Sequence, residues 1–329
     1  MPNKIFFIIL ILTVFLTDLK AQNNSSQVIK GGNHTAITKP NLNGHNFIGT
    51  SQFKTPFINT ALNAVMSAGQ AVGFELPPIK IDTFTLTRDR GSILVTNIDF
   101  EYEAMLRDWL SFNISYQIEG RAGTKTSPLI AQGVNLASGY KIGMTFKLWE
   151  RKNMLLSGSV DVINKSYTVI DIEDFITKVI QNGGLTQENT LSKTVPSLSV
   201  LGGARYAWAL NPSFGILGSA EFGFGESIDK TKDDRFLFNG GFLLEYDLLP
   251  KSKVPLGFGV GFYQNSFPVL SQDRIGNPHI FLGQIAYTGR NDLGAGIEFT
   301  YEFSTPESYN TGGNAVKFLT VYGNLKYYF

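Results

Sequence analysis

The chain's last stretch, Ala315 to Phe329, reads AVKFLTVYGNLKYYF. Counting back from Phe329 in steps of two gives a largely apolar set: Tyr327, Leu325, Gly323, Val321 and Leu319. The intervening set is more polar: Tyr328, Lys326, Asn324, Tyr322 and Thr320. Because successive side chains of a strand point to opposite faces, this alternation predicts a β-strand with one apolar and one wetter face.

The same period of two runs through most of the preceding sequence. It predicts eleven strands, near 92–106, 109–122, 135–149, 154–167, 197–210, 213–226, 235–248, 254–267, 278–289, 293–304 and 315–329. The clearest lie in the second half, where no charge falls on the apolar face. A charge facing lipid near the midplane would cost about 2–4 kcal/mol, which is a reason for that absence.

Two properties of these segments favour a membrane over a soluble sandwich. The predicted strands are long, whereas strands of soluble proteins are most often about 5–6 residues. A tilted strand needs roughly 9–11 residues to cross a bilayer. The predicted loops also alternate between short and long, which is typical of outer-membrane barrels with tight periplasmic turns and longer outer loops.

A strand of this kind that ends on Phe resembles the closing strand of Gram-negative outer-membrane β-barrel proteins. The resemblance implies an all-β, antiparallel transmembrane β-barrel in the cell outer membrane, with the lipid bilayer as its surroundings. It also implies that Tyr327 and Phe329 belong to an assembly signal read by the barrel insertion machinery.

Parity predicts the strand count. Each strand crosses the membrane once, and the last strand ends on the side of the short turns. If the first strand also begins on that side, the number of strands must be even, so one strand is needed in addition to the eleven. Residues 79–88 are the candidate, which gives about twelve strands. Bacterial single-chain barrels have even numbers, and ten or fourteen are also compatible with the pattern.

The region before the predicted barrel divides in two. Residues 1–21 have the features of a signal peptide: Lys4, an apolar run from Ile5 to Leu16, and Ala21 at the cut. Residues 22–78 are a polar lead followed by a short N-terminal helix, predicted at about 57–71 from Thr55-Pro56 and helical spacing of apolar residues. This helix is a possible plug inside the lumen, or it lies in the periplasm. The barrel is predicted over 79–329.

The inward face of the predicted barrel is charged. It carries ten acidic and five basic residues: Asp99, Glu101, Glu103, Glu119, Arg121, Lys141, Lys147, Asp161, Lys165, Arg205, Glu221, Glu245, Asp247, Glu298 and Glu302. The candidate lumen-lining site residues among them are Asp99, Glu101, Glu103, Arg121, Lys141, Arg205, Glu221, Glu245 and Glu298. One interpretation is a water-filled path that favours cations. The other is a network of ion pairs that stiffens the barrel, with Arg121 and Lys141 as partners of the acids on strand 92–106.

The longest predicted outer loop, 168–196, has helical spacing of apolar residues between Asp171 and Asn182. It predicts a lid over the mouth, a contact for a partner, or a helix lying on the rim.

Other functions have little support. The formal net charge is +1, which gives no reason to expect nucleic-acid binding, and there are no cysteines. The three histidines, His34, His45 and His279, form no metal or catalytic motif. We therefore expect no enzyme activity, no cofactor and no metal site. The sequence predicts a pore or transporter for a small solute; the alternative is a non-conducting barrel acting as an anchor or as a subunit of a surface or secretion complex.

Overall fold

The alternating segments form a closed barrel of twelve antiparallel strands. The computed structural model describes residues 40–75, 80–81, 84–85, 90–123, 135–170, 177–178, 180–182, 192–226, 234–266, 279–304 and 316–329. The barrel strands are β3 (Ala61–Glu75), β6 (Arg90–Arg107), β7 (Leu110–Gly123), β8 (Asn135–Arg151), β9 (Met154–Ile170), β10 (Ser192–Asn211), β11 (Phe214–Gly225), β12 (Arg235–Asp247), β13 (Leu256–Asn265), β14 (His279–Tyr287), β15 (Leu293–Ser304) and β16 (Val316–Tyr328).

Three shorter elements are not part of the twelve-stranded ladder. They are two small hairpins, β1 (Asn41–Leu42) with β2 (His45–Asn46) and β4 (Lys80–Ile81) with β5 (Phe84–Thr85), and one helical turn, α1 (Leu249–Ser252). No helix in the described part of the chain is long and apolar enough to cross a membrane.

The barrel closes where its last strand meets its first. β16 pairs with β15 on one side and with β3 on the other, in a register that places Tyr322 opposite Ser67. Since every strand has two neighbours, the ladder has no free edge and each backbone amide of the wall can bond within the sheet. The predicted all-β barrel and its count of twelve strands are confirmed.

The two faces of the wall follow the predicted phase. Phe222 and Phe299 point outward and are 50% and 48% exposed. Leu217 and Leu243 point inward and are buried. The outer surface is thus a continuous band of large apolar side chains, which suits contact with hydrocarbon.

The ends of the barrel differ in their connections. At the short-turn end, strands are joined across residues 108–109, 152–153, 212–213, 248–255 and 288–292. At the other end, the long-loop end, the strands run further than predicted: β9 reaches Ile170 and β10 starts at Ser192. Within the predicted 168–196 loop, the structure shows a helical turn closed by the Asn182 amide on the Lys178 carbonyl at 2.9 Å.

Two predictions at the start of the barrel are wrong. The predicted helix at 57–71 is a strand from Ala61, and this strand, not residues 79–88, is the twelfth of the barrel. Within 79–88 the described residues Lys80–Ile81 and Phe84–Thr85 form a separate small hairpin. The alanines and the spacing of Leu62, Val65 and Met66 satisfy a helix locally. Pairing with β6 and β16 makes this stretch a strand, because the barrel could not close without a strand between those two. The predicted signal peptide, residues 1–21, lies outside the described residues.

Candidate functional site

The lumen contains a piece of the chain itself. Residues 40–60, here called the inner segment, fold inside the wall before joining β3. They begin with the β1–β2 hairpin, whose turn residues Asn43 and Gly44 have positive φ values of 50° and 82°. Asn-Gly is the preferred pair for such a two-residue turn. The Asn41 and Asn46 side chains are hydrogen-bonded across the hairpin at 2.7 Å.

The hairpin turn of the inner segment and its last residue both lie at the short-turn end. His45 contacts the carbonyl of Pro212, in the turn between β10 and β11, with Nδ1 3.3 Å from the oxygen. At the other end of the segment, the carbonyl of Thr60 accepts a hydrogen bond from the Phe329 amide at 3.0 Å. The inner segment therefore has its hairpin turn at the short-turn end and leaves the lumen for β3 at that same end.

Three aromatic residues anchor the inner segment. Phe47, Phe53 and Phe57 are buried, and the ring of Phe53 stands edge-on to that of Tyr263, with centroids 5.2 Å apart. They belong to one apolar cluster with wall residues Leu155, Ala207, Ala209, Leu217, Leu243, Tyr263, Ile280 and Leu282. This end of the lumen is consequently a packed core.

Two buried wall carboxylates hold the backbone of the inner segment. Glu245 accepts hydrogen bonds from the amides of Ile48 at 3.2 Å and Gly49 at 2.9 Å. Glu298 accepts from both the amide and the hydroxyl of Ser51, each at 2.9 Å. Hydrogen bonds to a charged acceptor are stronger than those to a neutral acceptor. These carboxylates therefore fix the position of the inner segment along the barrel axis.

Lys54 lies at the innermost part of the inner segment, where its ammonium forms an ion pair and hydrogen bond with Glu101 of β6. Burial lowers the pKa of Lys54 most, but the carboxylates of Glu101 and Asp161 together raise it further than burial lowers it, so the pKa lies above its ordinary value. Lys54 is thus a charged contact between the segment and the wall.

Two cavities meet at this ion pair. A small one of about 70 Å³ includes Gly294, Lys326 and Tyr328, which lie toward the short-turn end. A larger one of about 280 Å³, here called the outer cavity, lies on the other side of Ser51 and Lys54. Its lining combines apolar side chains with carboxylates, ammonium groups, amides and hydroxyls that face the same space. The lumen thus has room for small polar groups above the inner segment.

An ion-pair network centred on Arg205 crosses the floor of the outer cavity. The Arg205 guanidinium donates to Asp161 and Glu221, each at 2.8 Å, and to the hydroxyl of Thr145 at 3.0 Å. Lys141 lies 3.9 Å from the second Asp161 oxygen. Buried ion pairs satisfied in this way stiffen a wall more than they stabilise it, since desolvation offsets much of the attraction.

The candidate site residues are therefore distributed over three contacts and the lining of the outer cavity. Glu245 and Glu298 bind the inner segment, Glu101 binds Lys54, and Glu103 lies 3.6 Å from Lys326. Asp99, Lys141, Arg205 and Glu221 line the outer cavity, and the Arg121 side chain lies outside the described residues.

The inner-segment residues were missed in the sequence. Lys54 and Ser51 sit in a stretch that reads as a polar lead, far in sequence from the carboxylates that they bind. The one available signal was the recurrence of Phe47, Phe53 and Phe57 in that polar stretch.

The residues predicted as an assembly signal lie on the outer surface at the short-turn end. The rings of Tyr327 and Phe329 meet edge to face with centroids 5.1 Å apart, and both are more than two-fifths exposed. No group of three or more histidine, aspartate or glutamate side chains in the described ranges is arranged to hold a metal ion.

Comparison with known proteins gives structural likeness only. No family model and no curated protein matches the sequence. An outer membrane channel from Pseudomonas putida F1 is 8% identical, with a TM-score of 0.51 over 86% of this chain and 100% of that chain. The protein has the fold of an outer-membrane β-barrel.

Two further solved structures have lower scores. A Pseudomonas aeruginosa FadL homologue is 11% identical, with a TM-score of 0.46 over 89% of this chain and 99% of that chain. The translocator domain of the autotransporter NalP from Neisseria meningitidis is 7% identical, with a TM-score of 0.48 over 84% and 90%. At such identities the likeness concerns the fold alone, so any function has to be argued from the lumen.

Proposed function

We propose that the barrel is a passage for a small polar solute across the outer membrane, and that the inner segment keeps it closed. The supporting observation is the outer cavity of about 280 Å³, whose floor is made by Ser51, Gln52 and Lys54 of the inner segment. Ligand pockets for drug-sized molecules are about 300–1,000 Å³, so this space suits a small solute.

The attachment of the inner segment supports a closure that opens. Hydrogen bonds to Glu245 and Glu298, one ion pair and three aromatic anchors hold it. Because the segment joins β3 at the short-turn end and its hairpin turn lies there too, it can swing out on that side while β3 stays in the wall. Short turns face the periplasm in barrels of this kind, so the solute would leave in that direction.

Conductance through a planar bilayer tests this proposal. Wild-type protein should show rare or brief channel steps. A variant in which Phe47 and Phe53 are both replaced by Asp should show frequent ones, because burying two unpaired carboxylates expels the inner segment from its apolar cluster. Val254→Asp, in the exposed turn between β12 and β13, controls for added charge without placing it against hydrocarbon. If the Phe47/Phe53 variant folds correctly, releases the inner segment and still shows no channel steps, the barrel is not a passage.

A second function is favoured by a different observation. The aromatic core fills the short-turn end of the lumen, and the Arg205 network pairs charges that a conducting path would leave free. These features suit a non-conducting barrel that anchors or joins a surface or secretion complex. The same experiment separates the two: closed behaviour in every released variant, together with a partner that copurifies in fixed proportion, supports the anchor.

A further inference from the structure

One row of the lumen wall follows the inner segment across five neighbouring strands. Cross-strand pairing aligns Glu245 of β12, Gly259 of β13, Gln284 of β14, Glu298 of β15 and Tyr322 of β16. This row is here called the belt. Because Gly259 has no side chain, the amide nitrogen of Gln284 has room to donate to Glu245 Oε1 at 3.4 Å. The belt is therefore one connected polar surface.

The belt binds the inner segment mainly through its backbone. Glu245 accepts hydrogen bonds from the amides of Ile48 and Gly49. Glu298 accepts from the amide and the hydroxyl of Ser51. Three of these four donors belong to the main chain, which every polypeptide has. Sites that bind main-chain groups gain affinity for extended peptides in general, and pockets for side chains add the specificity.

The inner segment leaves part of the belt unused. Oε1 of Glu298 and Oε1 of Gln284 have no hydrogen-bond partner among the described residues, although the two side chains are only 0% and 4% exposed. These residues lie directly opposite each other on β15 and β14, and the Cβ atoms of such a pair are about 4.5–5.5 Å apart. Buried acceptors without donors cost free energy. The belt thus has acceptors for more N–H groups than the inner segment supplies.

A bend in the inner segment explains the missing donors. Gly49 has a positive φ of 63°, and the amides of Gln52 and Phe53 donate to the hydroxyl of Thr50 at 3.2 and 2.9 Å. These two amides therefore bond within the segment instead of to the belt. In a straight, extended chain every second amide points to the same side. Such a chain would offer the belt donors that the bent segment withholds.

We propose that the belt is a binding site for an extended peptide of another protein, and that the inner segment occupies it in the absence of that peptide. The peptide carries two aromatic side chains, because Phe47 and Phe53 flank the bound amides and both lie in the apolar cluster of the wall. It competes with the inner segment for the same groups and displaces it. The site goes beyond the proposed passage, since it binds its ligand whether or not the barrel conducts.

Fluorescence anisotropy of labelled synthetic peptides, added to the full-length protein, tests the site. The native-sequence probe copies residues 45–57. The straight probe differs only by Thr50→Val, which removes the hydroxyl that holds the bend and adds a residue that favours extended backbone. The Phe47/Phe53 variant should bind both probes, and the straight probe about tenfold more tightly because it supplies the missing donor. Wild type should bind both about a hundredfold more weakly, because its own segment competes at high effective concentration.

Three further changes show which groups are responsible. In the Phe47/Phe53 variant, Gln284→Leu should abolish the advantage of the straight probe. Methylation of the Ser51 amide nitrogen in either probe should weaken binding about tenfold without any change to the protein. Glu302→Ala is the matched control, because Glu302 lies on the same face of β15 as Glu298 but outside the belt. It should leave both affinities unchanged.

Two results would overturn the peptide site. If the straight probe binds no more tightly than the native-sequence probe, the belt is fitted to the inner segment alone. If neither probe binds the Phe47/Phe53 variant, the belt has no affinity for a separate chain. Neither result bears on the passage, which the conductance of the same variant decides independently.

Discussion

The backbone of Gly215 in β11 lies against the imidazole of His45, so closely that a Cβ at position 215 would overlap the ring nitrogen Nε2. The same Cβ would come within 2.8 Å of the Phe47 ring. Because Gly215 carries only a hydrogen atom in place of a side chain, the β1–β2 hairpin of the inner segment can pack directly against the backbone of the wall. A side chain here cannot fit unless the hairpin moves.

Gly215→Ala should therefore loosen the inner segment while leaving the barrel intact. Overpacking of this kind costs about 1–3 kcal/mol, and here it destabilises the state in which the inner segment is packed against the wall. Amide hydrogen exchange should become faster over residues 45–49 and stay unchanged in β12 and β13. Gly218→Ala on the same strand is the control, because the nearest atom to its Cβ is the Gly241 carbonyl oxygen at 3.7 Å. Equal exchange in the two variants would contradict the packing described.

A pair of substitutions at Glu298 separates hydrogen bonding from charge. Glu298→Ala removes the acceptor of both Ser51 bonds, and an unpaired buried donor costs about 1–3 kcal/mol. Glu298→Gln keeps a carbonyl oxygen and should lose less. The Ser51 amide should exchange fastest in the Ala variant, more slowly in the Gln variant and slowest in wild type. Glu150→Ala, whose carboxylate contacts only Lys147 at the short-turn end among the described residues, should match wild type.

Most of the wall could be predicted because its signal is local. In β11 and β15 the alternation of large apolar and small or polar residues is uninterrupted. This period is expected because every second side chain faces lipid and the others face the packed or hydrated lumen. The alternation within a single strand is enough to assign its faces. The outward orientation of Phe222 and Phe299 therefore follows from the residues next to them in sequence.

The start of the barrel and its contents could not be predicted in the same way. Ala61–Glu75 is rich in alanine, which favours a helix locally, and only the neighbouring strands make it a strand. The bond between Lys54 and Glu101 joins residues 47 apart, and no period links them. Such contacts follow from closure of the barrel around the inner segment, which no single stretch encodes.

The outward face makes a prediction about insertion. Phe299→Arg places a charge near the middle of the apolar band, at a cost of about 2–4 kcal/mol, and should lower the folded fraction in lipid vesicles. Leu106→Arg, beside the short turn after β6, should cost much less because charges near the interface remain hydrated. Heat-sensitive migration on gels measures the folded fraction of each. Equal folding of the two would mean that Phe299 does not face hydrocarbon.

We propose that Tyr327 and Phe329 act in assembly, since both rings stand on the outer surface where β16 meets β3. Phe329→Ala should slow the appearance of folded protein in cells while leaving its final stability nearly unchanged. Phe236→Ala is the control, because Phe236 is 59% exposed on the outer surface but lies at the long-loop end. A pulse–chase measurement of folded protein distinguishes them, and identical rates would remove the assembly role.

A reversible tether tests whether movement of the inner segment is what opens the lumen. The side chains of Gln52 and Tyr322 are hydrogen-bonded at 3.3 Å, and the chain has no cysteine to interfere. Gln52→Cys with Tyr322→Cys, in the Gly215→Ala background, is bridged by a short bismaleimide that contains a disulfide. Conductance should vanish on bridging and return on reduction, because the tether holds the segment on the wall.

The control tether joins wall to wall. Asn239→Cys and Asn265→Cys face each other across β12 and β13 and line the same outer cavity, so they add equal bulk without touching the inner segment. Their bridging should leave conductance unchanged. If both tethers block equally, the reagent itself obstructs the lumen; if neither blocks, ions pass beside a segment that never moves, and the closure must lie elsewhere. Loss confined to the Gln52–Tyr322 pair assigns the gate to the inner segment.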